Sequence, residues 1–218
     1  FETFLQAKLH AYHLAWHVLD IVDYYRKNIS ESFLESEIIY RDRNVIEAAT
    51  ANLKADIFAT AMCCFKKDIG ALKSMAKLRG NAAMERVTYG TPENFPFPMA
   101  IDTVEELFSK VNFDRTPKKQ RLKTALKLAR QTALAYDQDA LAQWPAFCEP
   151  AQDMAWRGMD KSRIIAAALN TSSNTHVRTI AYILEEVLDV KPSPVEKIHD
   201  TYSPFADLRI NEKLHNKI

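Results

Sequence analysis

The stretch ETFLQAKLHAYHLAWHVLDIVDYYR, residues 2–26, indicates the fold class of this 218-residue chain. It contains neither proline nor glycine, the two residues that break or weaken helix interiors. Its apolar residues recur every three or four positions, the spacing that keeps one face of an α-helix buried. This apolar series consists of Leu5, Leu9, Tyr12, Trp16, Leu19 and Val22. We therefore predict a long amphipathic helix over about residues 2–26.

A second long helical region follows the first. It begins near Ser30 and extends to Cys64, because the first glycine is Gly70 and the first proline is Pro92. Its later part is rich in alanine, and such small side chains let a neighbouring helix approach closely. Two long helices in succession predict an antiparallel hairpin.

Shorter helices are predicted after the hairpin. Helical patterns cover about residues 70–87, 104–111, 118–136, 160–169, 176–188, 195–201 and 205–217. Asp102 with Glu105 resembles a capping arrangement for the second of these helices. The proline-containing stretches 89–99 and 143–153 are predicted to be non-helical, with Phe95 and Phe97 docked on the core.

No alternating strand pattern appears, so the predicted fold class is all-α, a long N-terminal hairpin packed with shorter C-terminal helices. We predict a single domain over residues 1–218. Its three regions are the hairpin at 1–88, a middle section with a basic helix at 89–157, and the C-terminal helices at 158–218.

Composition narrows the class of protein. Apolar residues make up 47% of the chain and charged residues 26%, and the formal net charge is +1, which is typical of a globular protein without a strong overall field. No apolar run is long enough for a membrane span. The three cysteines, Cys63, Cys64 and Cys148, form neither a disulfide framework nor a C-x-x-C motif. We predict a cytoplasmic location.

The first helix carries a second stripe, rich in histidine. It consists of His10, His13, His17 and Asp20. His13 and His17 have the i, i+4 spacing with which two imidazoles share a zinc ion. The glutamate of an H-E-x-x-H motif is absent, since residue 14 is leucine, and adjacent helical turns rarely aim three ligands at one point. We predict no bound metal or other cofactor, with these four residues as weak metal candidates, and a half-exposed face as the alternative.

The predicted helix over 118–136 is strongly basic. Between Arg115 and Arg130 there are seven lysines and arginines and no acid. Within this helix the candidate phosphate-binding residues are Lys118, Lys119, Arg121, Lys123, Lys127 and Arg130. The apolar residues Leu122, Ala125, Leu126, Ala129 and Ala133 are predicted to anchor it. Such a face suits a nucleic-acid backbone. The alternative is a solvated face balanced by acidic residues downstream.

The end of the chain offers a third candidate site. Arg209, Asn211 and His215 lie within the predicted terminal helix, in the sequence RINEKLH. Histidine titrates near neutrality and can transfer a proton, while arginine is a fixed cation that can stabilise a phosphate. Six residues of helix turn through about 600°, so Arg209 and His215 converge only if the arginine reaches around the helix or a groove brings them together.

This motif, with the long-helix layout, resembles the HEPN superfamily, all-α domains often found as toxin ribonucleases and abortive-infection proteins. The family pattern is R-x4-6-H, and its asparagine usually follows the arginine directly, whereas here Ile210 stands there. The resemblance implies metal-independent RNA cleavage in prokaryotic defence. It also implies that His215 acts as general base or acid, that Arg209 steadies the phosphate, that Asn211 orients the reacting group, and that two copies face each other in a dimer. The alternative function is a non-enzymatic helical adaptor or assembly subunit that binds a protein partner or nucleic acid.

Overall fold

A computed structural model of the chain describes residues 2–27, 45–68, 70–89, 97–136, 138–191 and 205. Across these residues the regular secondary structure is entirely α-helical, which confirms the predicted fold class. The described helices are α1 Glu2–Lys27, α2 Val45–Cys64, α3 Ala71–Tyr89, α4 Ile101–Phe108, α5 Lys118–Ala135, α6 Gln138–Ala142, α7 Trp144–Trp156, α8 Lys161–Thr171 and α9 Thr175–Leu188. None of these helices combines the length and the apolar character needed to cross a lipid bilayer.

Helices α1 and α2 form the predicted antiparallel pair. Early in α1, the Lys8 Nζ atom lies 2.9 Å from the Asp68 carboxylate just beyond α2. Further along α1, Trp16 packs on Phe58 with ring centroids 5.5 Å apart. Since a later residue of α1 meets an earlier residue of α2, the two helices run in opposite directions. The predicted antiparallel pairing of the two long helices is confirmed. Residues 28–44, where the second helical region was predicted to begin, lie outside the described residues.

The chain divides into two compact units, and the first comprises residues 1–78 and 99–136. Here α2 packs against both α1 and α5, and α4 packs against α5. Small buried side chains line α2, as its alanine content predicts. An aromatic cluster of Phe65, Phe108 and Phe113 closes this core, with ring centroids 4.8 and 5.4 Å from that of Phe113.

The second unit comprises residues 79–98 and 137–218. Helix α9 packs against α6, α7 and α8. It begins at an N-cap, Asn174, whose side chain accepts hydrogen bonds from the backbone N–H groups of His176 and Val177, satisfying donors that have no partner within the helix. The Trp144 ring contacts those of Phe97 and Phe147, so the predicted docking of Phe97 is confirmed. Phe95 lies outside the described residues.

Helix α7 is a correction to the sequence analysis, which predicts a break at 143–153. Pro145 lies in the first helical turn, where a missing N–H costs nothing. Pro150 lies inside the helix and is buried, together with the Trp144 and Phe147 side chains. Burial of these large apolar groups outweighs the hydrogen bond that Pro150 removes.

Helix α4 also differs from its prediction. It begins at Ile101, three residues earlier than expected, and its N-cap is Ala100, with no side-chain cap from Asp102. The backbone N–H of Ala100 instead donates to the Tyr136 hydroxyl at 2.9 Å. A residue 36 positions away therefore satisfies this helix end, which no local pattern indicates.

Two predictions are not tested by these helices. The predicted helices over 195–201 and 205–217 lie outside the described residues, apart from Phe205, whose buried ring packs on Phe147 at 5.7 Å. The chain forms two compact units, and whether they make up a single domain stays a prediction.

Candidate functional site

A buried polar cluster joins α1 to α2. The His13 Nδ1 atom lies 2.7 Å from Asp56 Oδ1, and both side chains are buried. The Nε2 atom of His13 lies 3.0 Å from Nε2 of His17, one helical turn further along α1. We call His13, His17 and Asp56 the histidine cluster.

The chemistry of the carboxylate fixes the direction of one of the two hydrogen bonds in the cluster. An ionised carboxylate only accepts, so the His13 Nδ1–H donates to Asp56. Between the two Nε2 atoms one ring donates an N–H and the other accepts it, and which ring donates depends on the tautomer of each histidine. The remaining His17 atom, Nδ1, is buried and has no hydrogen-bond partner within the described ranges. The cluster is a continuous hydrogen-bonded series from His17 through His13 to the carboxylate.

Burial disfavours the protonated form of the second histidine. Desolvation lowers the pKa of His17 below its usual 6.5, and the neighbouring His13 lowers this pKa further. The carboxylates of Asp20 and Asp56 and the side chain of Asn52 act in the opposite direction. The net lowering agrees with a ring that donates from one nitrogen only.

The structure separates the four weak metal candidates. His13 and His17 face each other, whereas His10 is exposed and its ring stacks on that of His13 at 6.5 Å between centroids. Asp20 is half-buried and interacts electrostatically with His17. In the described part of the chain, no three His, Cys, Asp or Glu side chains form a group able to hold a metal ion.

Asp56 is a residue that the sequence analysis missed. It is buried within α2 among alanine, isoleucine and phenylalanine side chains, and its own backbone carbonyl accepts a hydrogen bond from the Thr60 hydroxyl at 2.8 Å. An acid set directly between alanine, isoleucine and phenylalanine residues is the signal that marks it. Such a carboxylate needs a buried partner, and His13 supplies one.

The basic face of α5 is the second candidate site. Lys119, Lys123, Lys127 and Arg130 are all exposed and lie along one side of the helix; we call them the basic stripe. No carboxylate pairs with the three lysines among the residues whose positions are described. Lys118, in the first turn of α5, is exposed as well.

Arg121 has a different environment from the stripe. Its guanidinium donates to the carbonyl oxygens of Phe65 at 3.1 Å and Thr116 at 3.3 Å. It also lies over the Phe65 ring, 5.8 Å from the centroid. Arg121 thus ties the start of α5 to the end of α2, which leaves less of its guanidinium for an outside phosphate.

The predicted apolar anchor of α5 needs one correction. The buried side of the helix consists of Ala125, Leu128, Ala129, Thr132 and Ala133. Leu122 was predicted to be part of it but is 47% exposed. Leu122 lies beside Lys119 and Lys123 on the turn of the helix, so the side chain shares their solvent-facing surface.

The cysteine thiols form no reactive site. Burial raises the pKa of Cys63 to about 12 and that of Cys64 to about 11, and the Asp68 carboxylate adds to both shifts. Burial likewise raises the pKa of Cys148. All three are free thiols, and a raised pKa leaves little thiolate for nucleophilic chemistry.

Arg209, Asn211 and His215 lie outside the described residues. Their convergence on one phosphodiester stays a prediction. Comparisons of the chain with protein-family models, with curated proteins and with solved structures find no match.

Proposed function

We propose that this protein binds RNA through the basic stripe of α5. The observation that supports the proposal is the exposure of Lys119, Lys123 and Lys127 without a carboxylate partner among the described residues. With Arg130 they extend over about 16 Å of helix axis at 1.5 Å per residue. This length is comparable with about five phosphates along one strand of a duplex.

Local charge matters more than net charge for this proposal. The whole chain carries a formal charge of only +1, and at physiological salt charges are screened beyond about 8 Å. Attraction to a phosphate backbone therefore depends on cations that touch it. The basic stripe supplies four such cations on one side of one helix, and the buried alanines on the opposite side fix its orientation.

We further propose that the RNA is cleaved by Arg209, Asn211 and His215, as the HEPN resemblance implies. His215 would exchange a proton with the 2′-hydroxyl, and Arg209 would neutralise charge on the phosphate. The basic stripe would bind the RNA backbone, and the predicted terminal helix would supply the catalytic groups. Cleavage and binding depend on different residues, so they can be tested apart.

Neutralising the stripe tests the binding. We expect Lys119→Gln/Lys123→Gln/Lys127→Gln to weaken binding of a fluorescent single-stranded RNA by roughly 50-fold at 0.15 M salt. Each phosphate contact contributes about 0.7 to the slope of log K against log salt, so the loss of three contacts changes this slope by about 2. That change corresponds to roughly 50-fold in affinity between 1 M and 0.15 M salt. The matched control is Lys73→Gln/Lys77→Gln/Lys191→Gln, which removes the same charge from exposed positions elsewhere. Equal losses in the two variants would contradict a specific role for α5.

A separate variant tests cleavage. We expect His215→Ala to abolish RNA hydrolysis while binding, helicity and melting temperature stay as in the wild type. Full hydrolysis by His215→Ala would remove this residue from the mechanism. It would leave the binding proposal intact.

The second candidate function is a helical assembly subunit, which the outer face of α1 favours. Phe4, Leu14 and Val18 are 66%, 51% and 61% exposed. With the exposed Ala7 and Ala11 they follow a 3-4-3-4 spacing, the pattern with which one helix packs on another. A homodimer is the simplest such assembly.

Native mass measurement tests this candidate. We expect wild-type protein to dimerise as its concentration rises, and Leu14→Gln/Val18→Gln to remain monomeric because it removes two apolar residues of that face. Leu122→Gln, another exposed leucine, is the matched control. A wild-type protein that stays monomeric throughout contradicts assembly through α1.

A further inference from the structure

The histidine cluster places two potential metal-ligand atoms next to each other. Two imidazoles of one helix present their Nε2 atoms to each other at 3.0 Å, and the far nitrogen of one of them is held by a buried carboxylate. From this geometry we propose that His13 and His17 bind one divalent transition-metal ion, such as Zn²⁺, through their Nε2 atoms. The inference does not depend on RNA binding or cleavage.

The separation of the two Nε2 atoms suits a shared ion. With bonds of about 2.05 Å from zinc to each nitrogen, a separation of 3.0 Å corresponds to an N–metal–N angle of about 94°. An ideal tetrahedral angle of about 109° needs a separation of about 3.3 Å. In a chelate both Nε2 lone pairs point at the ion, which lies roughly 40° off the line between the two nitrogens. A rotation of each ring by about this angle, with a shift of a few tenths of an ångström, therefore converts the hydrogen bond into a two-histidine chelate.

Asp56 supplies the support that metal-binding histidines usually have. A ligating histidine almost always donates its other ring N–H to a carboxylate or carbonyl oxygen, which fixes the tautomer and orients the ring. His13 does this with Asp56 at 2.7 Å. This leaves Nε2 as the ligand atom of His13, on the side of the ring that faces His17.

The ligand set identifies the class of ion. Imidazole nitrogens suit zinc, copper and nickel, whereas magnesium and calcium prefer oxygen ligands. Only two protein ligands converge in the described residues, so water completes the coordination. Such a site binds more weakly than a three- or four-ligand structural zinc site. His13 is buried and His17 half-buried, so the ion enters from the His17 side.

The sequence alone does not reach this inference. The i, i+4 spacing of His13 and His17 favours a metal, but the motif lacks a third ligand and the glutamate of H-E-x-x-H, and both absences argue against one. The short distance between the Nε2 atoms and the partner of His13 across the interface are structural observations, and Asp56 is 43 residues away from His13.

Titration of untagged, chelator-treated full-length protein with zinc chloride in a calorimeter tests the proposal. We expect one ion per chain, together with a zinc-dependent rise in melting temperature. His17→Gln removes one ligand from the half-buried position and should lose both effects, while helicity by circular dichroism confirms that the variant is folded. His10→Gln, an exposed histidine of the same helix, should keep both.

A second variant tests the supporting role of the carboxylate. Asp56→Asn should weaken zinc binding by about 10- to 100-fold, the usual effect of removing such a partner. Wild-type protein that takes up no zinc, or zinc uptake that His10→Gln reduces as much as His17→Gln does, would overturn the proposal. Equal affinity in wild type and folded His17→Gln would overturn it too.

Discussion

One buried carboxylate pairs with a polar residue on the side of α1 that faces the core. Asp56 lies within α2 and holds His13 at 2.7 Å, so the buried face of α1 runs through Leu5, Leu9, His13 and Trp16. Leu19, which the apolar periodicity places on that face, is 37% exposed. A pattern based on apolar residues alone misses a buried histidine, because only the partner across the interface makes its burial favourable.

The neutral state of His17 predicts how stability responds to acid. Its pKa is lowered in the folded protein, so the unfolded chain binds more protons below pH 6.5 and unfolding becomes easier as the pH falls. The stability contributed by neutral His17 is fully present above pH 6.5 and is lost below it. We expect the urea midpoint of wild-type protein to fall more between pH 7.5 and 5.5 than that of His17→Gln.

The matched control is His10→Gln, which removes an exposed histidine of the same helix. It should keep the wild-type pH dependence. If the urea midpoints of wild type and His17→Gln fall equally with pH, burial of the His17 ring does not oppose its protonation.

At the scale of single elements, α5 combines a buried apolar surface and an exposed basic surface on one helix. Small side chains pack on one side, and a set of cations faces solvent on the other. The sequence pattern predicts both sides well, because the i, i+4 and i, i+7 spacings of a helix are independent of its surroundings. It fails at Leu122 and Arg121, whose environments depend on where α2 meets α5.

Helix α7 shows the other limit of prediction from the sequence. Its prolines indicate a break, yet a proline in the first turn is harmless and the inner one is buried with large aromatic residues. Local propensity is a weak guide wherever tertiary burial contributes several kilocalories per mole. The same holds for the histidine cluster, where spacing indicates His13 and His17 but not Asp56.

The close approach of α3 and α9 gives a prediction at this scale. A Cβ atom on Gly80 would lie 2.6 Å from Val187 Cγ2 and 3.1 Å from Leu188 Cδ2. Valine side chains are stiff, so Gly80→Ala should lower the free energy of unfolding by about 1–2 kcal/mol, despite the better helix propensity of alanine. Urea denaturation measures the change.

Removing the obstructing methyl group provides the control. In the background of Val187→Ala, the same Gly80→Ala change should cost less, because the two side chains no longer meet. Strictly additive effects would contradict a steric origin.

At the scale of the whole molecule, the near-neutral net charge makes the proposed RNA binding strongly local. Positive and negative residues balance over the chain, at 29 and 28, so no long-range field assists binding. Affinity should therefore follow the number of phosphates that touch the basic stripe and should be sensitive to salt. Dimerisation through α1 would present two such stripes, which would steepen the salt dependence further.

The salt dependence of RNA binding is the most direct test of the central proposal. For one single-stranded RNA, the slope of log K against log salt should be about −2.8 if all four cations of the basic stripe contact phosphates. Lys119→Gln/Lys123→Gln/Lys127→Gln should reduce its magnitude by about 2. An unchanged slope in that variant, with unchanged affinity, would contradict the assignment of α5 as the RNA-binding surface.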